Sequence, residues 1–216
     1  MEYIVEPWET KIIEQEFIDH FQSLIDSGLT VPEKDIDEFK LWAPNERYYI
    51  SWKAAKAASS LNGDFVECGV FKGEQAFYMA KECNNTLHLF DSWEGADTFG
   101  EHDNVFYKEN SFKCLIDDAQ ATLSEFNNVK FYNGHVPFGF ESVDAISFLN
   151  IDLDLYQPTK TSLEYLWPKV IVGGITLVDF HDSVSTGAEK ATREYFADKG
   201  NVIKILPTGK CLVIKK

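Results

Sequence analysis

The segment from Gly63 to Gly73, with the sequence GDFVECGVFKG, most constrains what this chain can fold into. It predicts a short buried strand that ends at Glu67 and runs into a glycine turn, followed by a helix. In open α/β sheets ligands bind at the carboxyl ends of the strands, and Gly69 and Gly73 would let a ligand approach the backbone closely. A carboxylate at the strand end favours a positively charged ligand. We therefore expect S-adenosylmethionine, which carries an ammonium and a sulfonium, rather than a dinucleotide.

The length of 216 residues predicts one domain of ordinary size. The net charge of -15 restricts the classes of partner that the chain can bind. Such an acidic chain is a poor ligand for nucleic acid or an anionic membrane. We expect a small-molecule partner and leave a homo-oligomer open. The chain has no apolar run of membrane-span length, no signal-peptide core and no C-x-x-C pair among its four cysteines. These features predict a reduced cytoplasmic protein without zinc.

From Asp64 onwards, predicted strands alternate with predicted helices, which indicates right-handed crossovers and a parallel sheet. The last two strands flank Pro207-Thr208-Gly209 and predict a hairpin. The expected fold class is therefore α/β, with a mostly parallel sheet, helices on both faces and a C-terminal antiparallel β-hairpin, an arrangement that resembles the Rossmann-like class I methyltransferase fold. The predicted strands are 64–67, 86–91, 129–132, 145–152, 174–179, 202–206 and 211–214, and the predicted helices are 74–82, 112–126, 159–166 and 188–198.

Two regions are expected, with a boundary near Arg47. Residues 1–46 would form an N-terminal helix over 12–24 and a connector, and residues 47–216 would form the methyltransferase domain, beginning with a helix over 47–61. The N-terminal region either covers the sheet edge or closes over the site as a lid, since connectors rich in proline and aromatic residues often close over ligands.

Asp91 ends the second predicted strand and follows Gly73 at close to the spacing of about 20 residues that separates a glycine loop from a ribose-binding acid. Its carboxylate would accept the ribose hydroxyls, although a local capping role would also explain it. Val70, Lys72 and Ser92 complete the predicted cofactor-binding set. Trp93 would either flank the adenine or simply pack in the core.

Further carboxylates follow the fourth and fifth strands. Asp152 and Asp154 would point to one side if the fourth strand continued through them, because side chains alternate along a strand. Asp179 ends the neighbouring fifth strand. Clustered carboxylates repel unless a cation lies between them or one holds a proton, and oxygen ligands of this kind suit Mg²⁺. Capping of the following helices is the alternative explanation.

Several motifs resemble the macrocin O-methyltransferase family, which belongs to the class I S-adenosylmethionine-dependent methyltransferases. They are GDFVECGVFKG at 63–73, LFDSWEG at 89–95, NIDLDLYQPT at 150–159, and the segments 173–179 and 187–196. The resemblance spans roughly residues 47–199, and the D-x-D-L-Y-x-P-T motif is its most specific part. It implies methylation of sugar hydroxyls with S-adenosylmethionine and Mg²⁺.

The resemblance also implies roles for single residues. The first aspartate of the D-x-D-L-Y motif, a metal ligand in the family, falls on Asp152, and the second, often assigned as the general base, falls on Asp154. The first of two adjacent aspartates after the fifth strand falls on Asp179.

The second of those adjacent aspartates falls on Phe180, whose side chain offers no ligand atom. Either His181 or Asp182 would replace it as a metal ligand, with Asp182 taken as the third ligand, or metal binding would be weak or absent. His181 is a candidate ligand or base, or a bystander.

The expected reaction is in-line transfer of a methyl group from the sulfonium to the hydroxyl of a small molecule, in which alignment supplies much of the rate. Two other classes stay open. Phe180 keeps open a catalytically weak or inactive methyltransferase-like binding domain. An oxidoreductase would need G-x-G-x-x-G, and Phe71 interrupts that pattern.

Overall fold

The computed structural model describes residues 43–96, 99–103, 109–179, 186–206 and 209–216. The predicted helix over 12–24 and nearly all of the predicted connector lie outside these residues. The strands are β1 Asp64–Cys68, β2 Leu87–Asp91, β3 Val129–Asn133, β4 Ile146–Ile151, β5 Val170–Asp179, β6 Lys204–Ile205 and β7 Lys210–Ile214. The helices are α1 Ala43–Ala58, α2 Glu74–Ala80, α3 Ile116–Thr122, α4 Tyr156–Leu166 and α5 Thr186–Phe196, with short 3-10 turns at Phe140–Ser142 and Trp167–Lys169.

The seven strands form one sheet in the order β3-β2-β1-β4-β5-β7-β6. Strands β1 to β5 are parallel, and β7 runs antiparallel to both β5 and β6. The chain therefore winds outward from β1 in both directions, so that the carboxyl ends of β2, β1, β4 and β5 lie side by side. This confirms the predicted fold class, including the antiparallel C-terminal strands.

Both faces of the sheet are covered, as neighbouring residues of β1 show. Phe65 belongs to a cluster with Ile50 of α1 and Ala119 of α3, whereas Val66 belongs to a second cluster with Leu163 of α4. Alternate side chains of a strand point to opposite faces. Each face of the sheet therefore has its own apolar core.

The helix predicted over 112–126 is shorter than expected, and the reason lies before its first turn. Phe112 has a φ of 65°, which a helix does not accommodate. Ser111 bridges back to Ala96, so this segment belongs to a turn. Leu115 precedes the first turn and is 68% exposed, and its N–H donates to Asp118 Oδ2 at the helix start.

Several other boundaries differ from the prediction, including the start of α4 at Tyr156 rather than 159. Helix α1 begins at Ala43 rather than 47, since Pro44 lies in the first turn, where backbone N–H groups have no acceptor within the helix. Strand β4 ends at Ile151, before either aspartate of the D-x-D pair. Strand β5 begins at Val170, four residues early. None of the helices in the described ranges has the length and apolar run needed to cross a bilayer.

Candidate functional site

The glycine turn after β1 packs directly against the end of β4. Gly69 has a φ of 87°, and a Cβ there would lie 1.9 Å from the carbonyl oxygen of Asp152. The Asp152 N–H donates to the carbonyl of Cys68 at 2.8 Å. Gly69 is therefore required for close contact between two strand ends, a reason that differs from the ligand access expected from the sequence. Gly73, with a φ of 83°, precedes α2.

Asp91 holds the turn in place from the neighbouring strand. Its Oδ2 accepts hydrogen bonds from the N–H groups of Val70 at 2.7 Å and Phe71 at 2.9 Å, and its Oδ1 accepts one from Trp93 at 2.8 Å. A carboxylate has about four acceptor positions, so these bonds leave about one on Oδ1. Asp91 thus fixes the turn and keeps capacity for one ligand hydroxyl rather than two.

The other predicted cofactor residues lie around this turn. The Lys72 ammonium lies 5.4 Å from the centre of the Phe71 ring, and Ser92 Oγ accepts a hydrogen bond from the Glu94 N–H at 3.2 Å. Trp93 is buried, and its Nε1 donates to the Phe71 carbonyl at 2.8 Å. The indole therefore packs in the core and supports the turn.

Glu67 lies beneath the turn and is fully buried. Its Oε1 accepts hydrogen bonds from Gln75 Nε2 and Asn150 Nδ2, each at 2.9 Å. Its Oε2 has no hydrogen-bond partner within the described part of the chain. Burial raises the pKa of this carboxyl to about 8, against the opposing effect of the Gln75 hydrogen bond, and the charge of Asp152 adds to the rise. Burial therefore favours the protonated form of Glu67.

Asp152, Asp154 and Asp179 come together at the ends of β4 and β5. Each offers a carboxylate oxygen, and these oxygens lie within 4.8 Å of one another. The sequence predicted that Asp152 and Asp154 point to one side because side chains alternate along a continuing strand. That explanation is wrong, because β4 ends at Ile151 and Asp154 has a φ of 61°. A turn with a left-handed residue brings the carboxylates together.

A glutamine and a lysine side chain donate hydrogen bonds to Asp152. Its Oδ2 accepts a hydrogen bond from Gln75 Nε2 at 2.9 Å and lies 3.1 Å from Lys210 Nζ. Lys210 begins β7, pairs with Asp179 in the strand register and is fully buried. Gln75 in turn accepts a hydrogen bond from Ser51 Oγ of α1 at 2.9 Å. A single polar network therefore joins α1, α2, β1, β4 and β7 beneath the site.

The connection after β2 reaches across to the same strand ends. Asp103 Oδ1 accepts a hydrogen bond from the N–H of Tyr156, the first residue of α4, at 2.7 Å. The His102 ring lies edge-on to Tyr156, with 4.6 Å between ring centres. Helix α4 begins directly after the aspartate pair, so this connection borders the carboxylate cluster.

The remaining predicted site residues, His181 and Asp182, lie outside the described residues, as does Phe180. Their predicted roles stay predictions.

Sequence reasoning missed Gln75 and Lys210. Gln75 carried a signal, because it is a polar residue in the first turn of a short helix that otherwise buries apolar side chains. Lys210 carried none, since its proximity to Asp152 depends on how β7 pairs with β5.

The side chains of the site fit the two groups that the sequence predicted, S-adenosylmethionine and Mg²⁺. Asp152 and Asp179 offer the hard carboxylate oxygens that Mg²⁺ prefers, and the carboxylate of Asp154 lies beside them. The buried Oε2 of Glu67, without a hydrogen-bond partner in the described ranges, is a suitable acceptor for an ammonium.

Comparison with known proteins shows which family the chain resembles. The Macrocin-O-methyltransferase (TylF) family matches residues 53–206. The demethyldecarbamoylnovobiocin O-methyltransferase of Streptomyces niveus is 28% identical in an alignment of 142 residues, with a coverage of 56% of this chain and 53% of that protein. This chain thus spans about half the length of that curated relative.

Two solved structures share the fold. The O-methyltransferase NovP superposes with a TM-score of 0.64 at 20% identity, covering 79% of each chain. The calicheamicin methyltransferase CalS11 superposes with a TM-score of 0.69 at 18% identity, covering 93% of this chain and 92% of that one. Because the family match extends over most of the chain and includes every strand end of the site, this chain belongs to the Macrocin-O-methyltransferase (TylF) family.

Proposed function

We propose that this chain is an S-adenosylmethionine-dependent O-methyltransferase that acts on a hydroxyl of a small molecule, a sugar or a glycosylated metabolite. The observation that carries the proposal is the meeting of two sites at one sheet edge. The Glu67–Asp91 turn suits a cationic nucleoside, and the carboxylate cluster lies immediately beside it, since Gly69 touches the Asp152 backbone. Family membership and the Streptomyces niveus relative support the choice of a hydroxyl acceptor.

The chain's own residues divide the work of cofactor binding. Glu67 Oε2 would accept a hydrogen bond from the ammonium of the methionine part, and Asp91 Oδ1 would accept one from a ribose hydroxyl. Val70, Lys72 and Ser92 would line the pocket around the turn. The backbone of the turn is fixed before the cofactor arrives, because Asp91 already binds two of its N–H groups. Such preorganisation reduces the entropy that binding and alignment cost.

The carboxylate cluster would manage the acceptor. Asp152 and Asp179 would hold Mg²⁺, with Asp182 as a further predicted ligand, and the ion when bound would lower the pKa of the acceptor hydroxyl. S-adenosylmethionine would supply the methyl group and leave as S-adenosylhomocysteine, and Asp154 would accept the proton that the acceptor hydroxyl loses as its oxygen gains the methyl group. His181 is the alternative base.

The test is methyl transfer from isotopically labelled cofactor to a panel of hydroxylated sugars and glycosides, followed by mass spectrometry. Transfer to an oxygen of one acceptor, dependent on Asp154, supports the proposal. An inactive binding domain would bind the cofactor yet transfer nothing to any acceptor, with or without Mg²⁺.

The setting of the protein is also part of the proposal. The net charge of -15 supports a small-molecule partner rather than nucleic acid or a membrane surface. All four cysteines are free thiols, which supports a reducing, cytoplasmic location.

A further inference from the structure

Lys210 places a buried ammonium beside the carboxylate cluster. The side chain has no exposed surface, and its Nζ lies 3.1 Å from Asp152 Oδ2. Residue 210 pairs with Asp179 across the β5–β7 register, so Lys210 adjoins both of the aspartates proposed to hold metal.

A buried ammonium is costly to desolvate, and pairing with a carboxylate offsets that cost. Here the pairing also benefits the acids. Three carboxylate oxygens within 4.8 Å repel one another unless positive charge lies near them. Lys210 supplies one such charge. It also shares Asp152 Oδ2 with Gln75, so a metal ion that used this oxygen would compete with two existing donors.

We infer that Lys210 is a built-in cation of the carboxylate cluster, which neutralises part of its negative charge and thereby sets a low affinity for divalent metal. Lys210 is a positioning residue in this scheme, since it acts on the metal through Asp152 and through its charge. The inference rests on the proposed metal ligands, but it is tested by metal binding alone, so its failure is distinguishable from a failure of methyl transfer.

The test is Mn²⁺ binding to the full chain, measured as loss of the free-ion signal in electron paramagnetic resonance. Lys210→Met removes the charge and keeps an unbranched side chain. We expect it to bind Mn²⁺ roughly tenfold or more tightly than the wild type, because the substitution removes both the repulsion between the ammonium and the divalent ion and a competing donor to Asp152 Oδ2. Lys204→Met, on the edge strand β6 of the same hairpin, changes the net charge equally and should leave the affinity unchanged.

A second pair of variants tests the inference even if Lys210→Met alone does not fold. Removing one partner of a buried ion pair is destabilising, whereas removing both partners is tolerated better. Asp152→Asn with Lys210→Met should bind Mn²⁺ more tightly than Asp152→Asn alone, through the field at Asp154 and Asp179. The inference is overturned if Lys210→Met does not tighten Mn²⁺ binding in the wild-type chain or in Asp152→Asn. It is also overturned if no variant binds Mn²⁺. An equal gain in Lys204→Met would overturn it as well.

Discussion

At the scale of single residues, the site is built from side chains that serve the fold and the chemistry together. Asp91 both clamps the glycine turn and keeps one acceptor position for a ligand. Gln75 donates from one amide nitrogen to Glu67 and to Asp152, which links the proposed cofactor pocket to the proposed acceptor pocket. A change at any of these residues should therefore alter stability as well as binding.

Glu67 gives the clearest dependence on pH. Its pKa is about 8 in the folded chain, above the ordinary 4.5. Between these values the folded state binds the extra proton, so this group's contribution to the free energy of unfolding falls as pH rises, by at most about 1.4 kcal/mol per pH unit. Glu67→Gln mimics the protonated form and lacks this slope. We expect the stability of the variant relative to the wild type to increase from pH 5 to pH 8 in urea unfolding.

A stability difference between Glu67→Gln and the wild type that stays constant over that range would show that Glu67 titrates normally. Glu141→Gln, at an exposed carboxylate, serves as the control for general charge effects.

Gly69 offers a test of the contact between strand ends. Gly69→Ala places a Cβ against the Asp152 carbonyl and also requires a positive φ. Gly200→Ala is the matched control, since Gly200 has a φ of 66° and a Cβ added there would meet nothing within 4 Å. The control should cost about 1–2 kcal/mol in unfolding free energy, whereas Gly69→Ala should cost several kcal/mol or prevent folding. Equal costs would mean that the turn and β4 are not in contact.

Substitutions at the two aspartates of the D-x-D pair should change turnover and the Mg²⁺ requirement in different ways. Asp154→Asn should leave cofactor and Mg²⁺ binding near normal while turnover falls by something like 10²–10⁴-fold, as for a lost general base. Asp152→Asn should raise the Mg²⁺ concentration needed as well as slow turnover. If Asp154→Asn is nearly silent and His181→Ala abolishes turnover, His181 is the base instead.

At the scale of elements, the β2–α3 connection ties the cofactor side of the sheet to the start of α4. Asp103 Oδ2 accepts from the Gly100 N–H at 2.8 Å while Oδ1 accepts from the Tyr156 N–H. Both bonds end on one side chain, so one substitution should release both backbone groups.

Asp103→Ala should therefore speed amide hydrogen exchange at Gly100 and Tyr156 and cost about 1 kcal/mol, as for the loss of a helix N-cap. Glu101→Ala changes the same charge at an exposed neighbour and should leave both amides protected. Unchanged exchange at Tyr156 in Asp103→Ala would show that α4 is capped by other means.

The elements also show how far sequence reasoning reaches. The alternation of strands and helices, the glycine turn and the acidic strand ends were readable, because each depends on local pattern. The end of β4 before Asp152 was not, since the left-handed Asp154 has no strong local signal. The place of Lys210 depends on pairing between β5 and β7, which are distant in sequence, and no local pattern encodes such a register.

At the scale of the whole molecule, the parallel sheet is what makes the two pockets neighbours. Winding outward from β1 places the ends of β2, β1, β4 and β5 in one row. The row carries Asp91, Glu67, the Asp152–Asp154 pair and Asp179 in that order. A cofactor at one end of this row and a hydroxyl acceptor at the other would meet in the middle, which is the central claim of the proposed function.

The most direct test of this claim is calorimetric titration of the demethylated cofactor, S-adenosylhomocysteine, into the chain in excess chelator. The account predicts one-to-one binding without metal, weakened at least about tenfold by Glu67→Gln and by Asp91→Asn, which conserve shape, and unchanged by Glu141→Gln. No binding to the wild type, or equal binding to all the variants, would contradict the assignment of the pocket.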